Sequence, residues 1–294
     1  MKEITQAYSD DALKKLPKKT DQLFLFLDSD YFEDSISEVK AVEPHINIEL
    51  LWDNNPLWDE YKYNGPIIVQ LNENSNLIAH FIEHWAKENR GVIIQSSYKV
   101  EDIFNHLQSL TFTAEPDDTL TRLRLYEPRK LRGIMDAMQE NEPLESLMGP
   151  IEKFIWQENC GEESTWLTTK NSKPHPAKHD ISDEHWFAFN KEQNDIIAQN
   201  EVRYFFRNLA WQLSEDFELE INDAQKQSET LTREARTMGF MRNDDMESYV
   251  RLRMQYGDFR NKQTVKEYLN NTEDRPGGRL AEIKVFLEQT VGEK

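Results

Sequence analysis

The sequence predicts an N-terminal α/β (or α+β) lobe, in which a mixed sheet is flanked by helices, followed by an all-α C-terminal lobe. Three observations predict it. As far as Trp156, short apolar or alternating runs take turns with stripes of helical period, the pattern of a sheet layered with helices. Lys170 to His179 is polar, punctuated by Pro174 and Pro176 and without periodicity, which marks a linker. From Asp183 onward only the helical period remains. The expected boundaries are residues 1–170 for the first lobe, 171–182 for the linker and 183–294 for the second.

Leu23 to Leu27 is an unbroken apolar run ending at Asp28 and reads as a fully buried strand. Ile46 to Trp52 alternates, as a half-buried strand does, and the Ile36 and Val39 region between the two reads as helical. Pro66 to Leu71 follows a Gly-Pro turn as a third strand. Ser75 can cap a helix with the stripe Leu77, Ile78, Phe81, Ile82 and Trp85, ended near Asn89-Arg90-Gly91. Val92 to Gln95 is another strand, and Val100, Ile103, Phe104 and Leu107 mark the helix after it.

Leu123 to Tyr126 reads as a strand running without a linker into a helix. Leu123 and Leu125 share one face, and Arg122, Arg124 and Tyr126 the other. Pro128 suits the first helical position because its missing N–H would have had no partner there, and Glu127 falls at the cap. The helix then buries Leu131, Ile134, Met135 and Met138. Arg129 and Lys130 sit in its first turn, where the positive end of the helix dipole disfavours a cation by roughly 0.3–1 kcal/mol. A carboxylate partner is therefore expected for Arg129.

In the second lobe Val202, Phe205, Phe206, Leu209, Ala210 and Leu213 form a helical stripe expected to anchor that lobe. Leu231, Ala235 and Met238 mark a helix closed by Gly239. Asn243-Asp244-Asp245 supplies caps for a helix from Met246 to Tyr256, stopped by Gly257. Thr264 to Leu269 begins a short helix, and Leu280, Ile283 and Leu287 mark a last one.

The formal charge of −19 comes from 54 acidic against 35 basic residues. A field of that sign repels phosphate backbones and anionic lipid, so nucleic acid is not an expected partner and a basic protein is. A single cysteine, Cys160, allows no intramolecular disulfide and fits a reducing compartment. Met1 to Gln6 lacks the apolar core of a signal peptide, and Leu23 to Leu27, the longest strongly apolar run, is far short of the ~20 residues that span a bilayer. The expectation is a cytoplasmic protein without membrane insertion.

Asp28-Ser29-Asp30 after an apolar strand is where haloacid-dehalogenase-type phosphatases place a nucleophilic and an acid–base Asp. That chemistry also needs a Lys and a second acidic pair for Mg²⁺. Asp117-Asp118 and Asp244-Asp245 follow no apolar strand, and Tyr31-Phe32 stands where a hydroxyl is needed. Asp28 instead reads as a strand-end carboxylate available to Arg124 or Arg129. His80 and His84 share a helix face without an evident third ligand, and His175, His179 and His185 lie in or beside the linker. Acidic neighbours would raise the Cys160 thiol's pKa, and no Gly-x-Ser-x-Gly elbow, Walker loop or dinucleotide fingerprint occurs. No catalytic residue, metal or cofactor is expected. Arg122, Arg124, Arg129, Lys130 and Arg132 form a local basic cluster, either paired internally or presented to an acidic segment of a partner.

Leu23 to Asp28, Arg124-Leu125-Tyr126-Glu127-Pro128-Arg129 and Gly149-Pro150-Ile151 together resemble the effector-chaperone (adaptor) family of bacterial type VI secretion. Its pattern is an apolar strand ending in Asp, an Arg-x-Tyr-Asp-Pro-Arg turn and a Gly-Pro strand; here Glu127 replaces the Asp. Ala235 to Phe240 and Tyr256 to Phe259 fit the family's C-terminal lobe. The resemblance implies a non-enzymatic adaptor that binds one toxin effector in the bacterial cytoplasm and loads it onto the VgrG spike. Asp28, Glu127, Pro128, Gly149 and Pro150 would then be structural, and Tyr126, Arg129, Arg124, Trp186 and Tyr204 would line an effector-binding cleft between the lobes. The alternatives are a phosphatase using Asp28 and Asp30, and a general chaperone for toxin transmembrane segments.

Overall fold

The apolar run of Leu23 to Leu27 forms an inner strand of a seven-stranded sheet and supplies both of its faces. In this computed structural model residues 5–6, 8–14, 22–29, 34–55, 58–72, 75–114, 119–138, 142–160, 163–181, 183, 186–271 and 274–291 are described. The chain divides into two compact units, Met1–Glu201 and Val202–Lys294.

The first unit runs β1 (Thr5–Gln6), α1 (Asp10–Lys14), β2 (Gln22–Leu27), α2 (Ser35–Val42), β3 (Ile48–Leu50), a 3₁₀ turn (Asp59–Asn64) and β4 (Ile67–Leu71). Helix α3 (Leu77–His80) continues as a π turn over Phe81–Trp85 and leads to β5 (Gly91–Ser96) and α4 (Val100–Ser109). Then come β6 (Phe112–Ala114), β7 (Leu120–Arg122), α5 (Pro128–Ala137), α6 (Glu142–Met148), β8 (Lys153–Cys160) and β9 (Glu163–Lys170). The large sheet has the order β1-β9-β8-β5-β2-β4-β3, while β6 and β7 form a separate ribbon. Every ladder between these strands is antiparallel, so the α+β form of the expectation is the one adopted.

Because side chains alternate along a strand, β2 sends Phe24 and Phe26 to one face and Leu23, Leu25 and Leu27 to the other. The first face joins Ile68, Val92, Ile94, Phe154 and Trp156 with Ile103, Leu131 and Leu147 from α4, α5 and α6. The second joins Ile67, Val69, Ile93 and Ile155 with Leu13, Val39 and Phe81 from the helices on that side. Each large side chain buried this way contributes roughly 1.5–3 kcal/mol. The alternating run Ile46 to Trp52 pairs only over Ile48–Leu50, because Leu51 and Trp52 enter a turn and are buried there. The cap position of α3 is Asn76 rather than the expected Ser75, although Ser75, one residue earlier, accepts the Leu77 N–H at 3.2 Å.

Residues 171–181 are held to the first unit. The Asn171 side chain donates to the Gly149 carbonyl at 3.0 Å, the His175 N–H donates to the same oxygen at 3.0 Å, and the Tyr98 hydroxyl donates to the Pro174 carbonyl.

Helix α7 (Lys191–Asp216) is followed by α8 (Ile221–Thr237), α9 (Asn243–Tyr256), α10 (Gln263–Asn270) and α11 (Pro276–Val291). Gly239 and Gly257 stop their helices with φ of 85° and 68°, values that favour glycine. Helix α9 starts three residues earlier than expected, at Asn243. The stripe on α7 is buried at Leu209, Ala210 and Leu213 only; Phe205 and Phe206 are half-buried and Val202 is 43% exposed. Leu209 and Leu213 are covered by Ala224 and Leu231 of α8, and that cover does not reach Val202.

Candidate functional site

The segment from β7 into α5 is built differently from the simple strand expected of it. Pairing ends at Arg122; the Leu123 N–H still donates to the Thr111 carbonyl at 3.0 Å, and the chain then turns, with the Glu127 N–H on the Arg124 carbonyl at 3.2 Å. That turn takes the carbonyl a longer strand would have used. Pro128 occupies the first helical position as expected, and Leu131, Ile134, Met135 and Met138 are all buried.

Above this turn lies a groove of about 530 Å³. Its apolar lining comes from Leu123, Ile134, Phe189 and Ile197, and its polar lining from Thr113, Thr121, Arg122, Arg124, Glu127, Lys130, Asn194 and Glu201. Two ion pairs edge it. Arg124 lies 3.5 Å from Glu127, and Lys130 is paired with Glu201. The Arg122 guanidinium lies over the Trp52 ring, 5.3 Å from its centroid. The Glu127 Oε2 atom is buried and makes no hydrogen bond among the described residues, so 3.5 Å to Arg124 is a loose ion pair. Helix α5 passes close to α7 at Gly133, where a Cβ would lie 3.3 Å from the Asn200 side chain, a tight contact that its neighbour would have to relieve by a few tenths of an ångström.

Of the residues expected to bind a partner, Arg124 lines this groove. Arg129 is exposed on α5 outside the lining. Tyr126, expected on the outward face of a strand, is only 1% exposed and packs edge-on against Phe26 at 5.3 Å, because the turn rotates it into the core. Trp186 is half-buried: its indole donates to the Ser109 carbonyl at 3.2 Å and His179 stacks on it at 4.1 Å. Tyr204 is half-buried on α7 in the second unit. Within the basic cluster Arg132 pairs with Asp136 at 3.0 Å and Glu158 at 3.6 Å, so internal pairing accounts for Arg132 as it does for Lys130.

The residues expected to be structural are mostly buried. Asp28 is 3% exposed at the end of β2, its N–H on the Arg90 carbonyl and its carbonyl receiving the Ser35 hydroxyl. Glu127 is half-buried, and Pro128, Gly149 and Pro150 are buried. Gly149 has φ +50°, and a Cβ there would sit 2.5 Å from the His106 ring, so both backbone and space demand glycine. Pro150 accepts the Ser96 hydroxyl at 2.7 Å. His106, which the sequence did not single out, is 1% exposed and hydrogen-bonded through Nε2 to the Leu147 carbonyl at 2.9 Å. Burial pushes its pKa down to about 4, with His175 and His179 adding to the effect.

Asp30, Tyr31, Phe32, Asp117, Asp118 and His185 lie outside the described residues. Asn243, Asp244 and Asp245, expected as caps, form the first turn of α9 in the second unit, whose cap position is Arg242 and has no side-chain capping bond, and Asp244 pairs with Arg242 at 3.4 Å. The His80 and His84 rings lie 4.6 Å apart, with His80 edge-on to Trp85. Among the described residues no group of three or more His, Cys, Asp or Glu is placed to hold a metal ion, and no helix is long and apolar enough to cross a membrane.

A family model described as "Domain of unknown function (DUF4123)" matches residues 23–143. The matched part runs from β2 through α5, and includes Asp28, the basic cluster and the turn at Glu127-Pro128. Strands β8 and β9 and the second unit lie beyond it. No curated protein and no solved structure matches the chain.

Proposed function

We infer that this chain is a non-enzymatic adaptor that binds a type VI secretion effector in the cytoplasm and helps to load it onto the VgrG spike. The match of the DUF4123 model to residues 23–143 carries the reading, because that domain is the one the resemblance at Asp28 and at Arg124 to Arg129 implies. The groove supports it: apolar side chains edged by charges suit contact with another polypeptide. It lies wholly within the first unit, so the reading needs no cleft between lobes. Handover requires affinity that holds the effector in solution yet yields when the assembled spike offers more contact. Purification of the tagged full chain from its native cell tests this reading. A toxin and a spike protein should co-elute; recovery of the chain without either, in cells that express both, overturns it. Turnover of a generic phosphoester with Mg²⁺ would instead favour the phosphatase.

A further inference from the structure

Helices α7 and α8 form a second, smaller pocket of about 300 Å³, wholly within the second unit. Phe206 of α7 and Glu229, Thr232, Arg233 and Arg236 of α8 line it. We propose that this pocket binds a carboxylate attached to an apolar group, with the carboxylate between Arg233 and Arg236 and the apolar body on the Phe206 ring. The assignment is independent of the adaptor reading above.

Uncompensated charge is the first reason. In a chain of 54 acidic against 35 basic residues, Arg251, Arg253 and Arg260 of the same unit all pair with carboxylates. Arg233 makes no ion pair or hydrogen bond among the described residues, and Arg236 makes only a contact from Nε to the Met246 sulfur at 3.4 Å. Both are exposed and stand three residues apart on one helix face, where like charges repel unless an anion lies between them. Glu229 does not neutralise them: it receives the Gln225 amide at 3.3 Å and ion-pairs with neither arginine. Thr232 is 0% exposed, and its hydroxyl has no hydrogen-bond partner among the described residues. That is a costly state for a buried donor, and a carboxylate oxygen is an acceptor that would end it.

The same lining selects the ligand class. Two arginines against Glu229 leave one net positive charge, which matches a monoanion; a phosphate dianion would meet Glu229 and the −19 of the whole chain. The guanidinium fork suits the two oxygens of a carboxylate. Half-buried Phe206 leaves ring surface for an aliphatic or aromatic body, in a volume that admits a small organic acid.

The test titrates the full chain calorimetrically with phenylacetate and with its uncharged counterpart phenylacetamide. Phenylacetate should bind about tenfold more tightly. Arg233→Gln and Arg236→Gln, at exposed helix positions, should each weaken phenylacetate about fivefold and leave phenylacetamide unchanged. Glu229→Gln should strengthen phenylacetate about threefold, and Phe206→Ala should weaken both ligands alike. No binding of phenylacetate, equal binding of the two ligands, or phenylacetate binding that survives unchanged in both arginine variants overturns the proposal. Should Arg236→Gln fail to fold, Arg233→Gln decides. An N-acetylated Gly-Gly-Phe peptide with a free carboxyl end separates two sources of the ligand: binding tighter than that of phenylacetate assigns the pocket to a polypeptide C-terminus, and weaker binding assigns it to a free carboxylic acid.

Discussion

The two compact units solve the problem of holding helices together by different means. In the first, a sheet buries apolar side chains on both faces and its helices need only cover them. The second has no sheet among its described residues, and its apolar clusters are smaller. It adds a polar knot: Glu234 receives the Tyr249 hydroxyl, Arg253 at 2.7 Å and Arg260 at 3.1 Å, and Arg260 also grips Asp258 at 2.7 Å. Tyr249 is fully buried within it. Apolar burial tolerates imprecise partners, whereas a half-buried carboxylate demands that each donor stay in place. The sheet unit should thus fail by losing volume and the helical unit by losing a charge.

The largest expected effect is in the sheet. Phe24→Ala should destabilise the first unit by about 3–5 kcal/mol in urea denaturation, with hydrogen exchange localising the loss to β2, β4 and β5. Next comes acid. The His106 pKa is depressed to about 4 from an ordinary 6.5, so its contribution is complete above pH 6.5 and is lost as pH falls toward 4. The slope is about 1.4 kcal/mol per pH unit, to a total on the order of 3 kcal/mol. A stability profile flat between pH 6.5 and 4, or one that His106→Gln leaves unchanged, would remove His106 from this account.

Glu234 titrates lower. Burial raises its pKa, but hydrogen bonds from Arg253 and Tyr249 outweigh burial and hold it below the usual carboxylate value. Stability from Glu234 is present above that usual value and is lost as pH falls through the depressed one, a more acidic window than that of His106. Glu234→Gln should cost about 2–3 kcal/mol at pH 7, read as lost exchange protection in α8 and α9. The smallest effect sharpens the reading of α7: Phe206→Ala should cost about 1 kcal/mol and Leu213→Ala about 3 kcal/mol, because only Leu213 is fully covered. Equal losses would mean that Phe206 is buried after all.

Most elements were legible because their pattern is local. Leu23 to Leu27, the stripe of Leu77 to Trp85 and the proline start of α5 each state their own period or cap. The expectation failed where the outcome depended on distant neighbours. Tyr126 has the alternation of an outward residue, yet the turn at Arg124 carries it against Phe26. Val202 continues the periodic stripe of α7, yet α8 does not cover it. Of the groove, Arg122, Arg124 and Lys130 stood out as a basic cluster, but Phe189, Ile197 and Glu201 sit about sixty to eighty residues away in sequence.

By itself the sequence determined the inner strands β2, β4 and β5, the helices α2, α4, α5 and those of the second unit, the acidic charge and the proline start of α5, because these follow from side-chain period, charge and backbone sterics within a few residues. Tertiary structure alone decided that the strands pair antiparallel, that Tyr126 turns inward, that His106 is sealed against Gly149, and that α5 and α7 wall a groove with the ribbon of β6 and β7. Each of these depends on which surfaces meet, and burial is a property of the neighbour as much as of the residue.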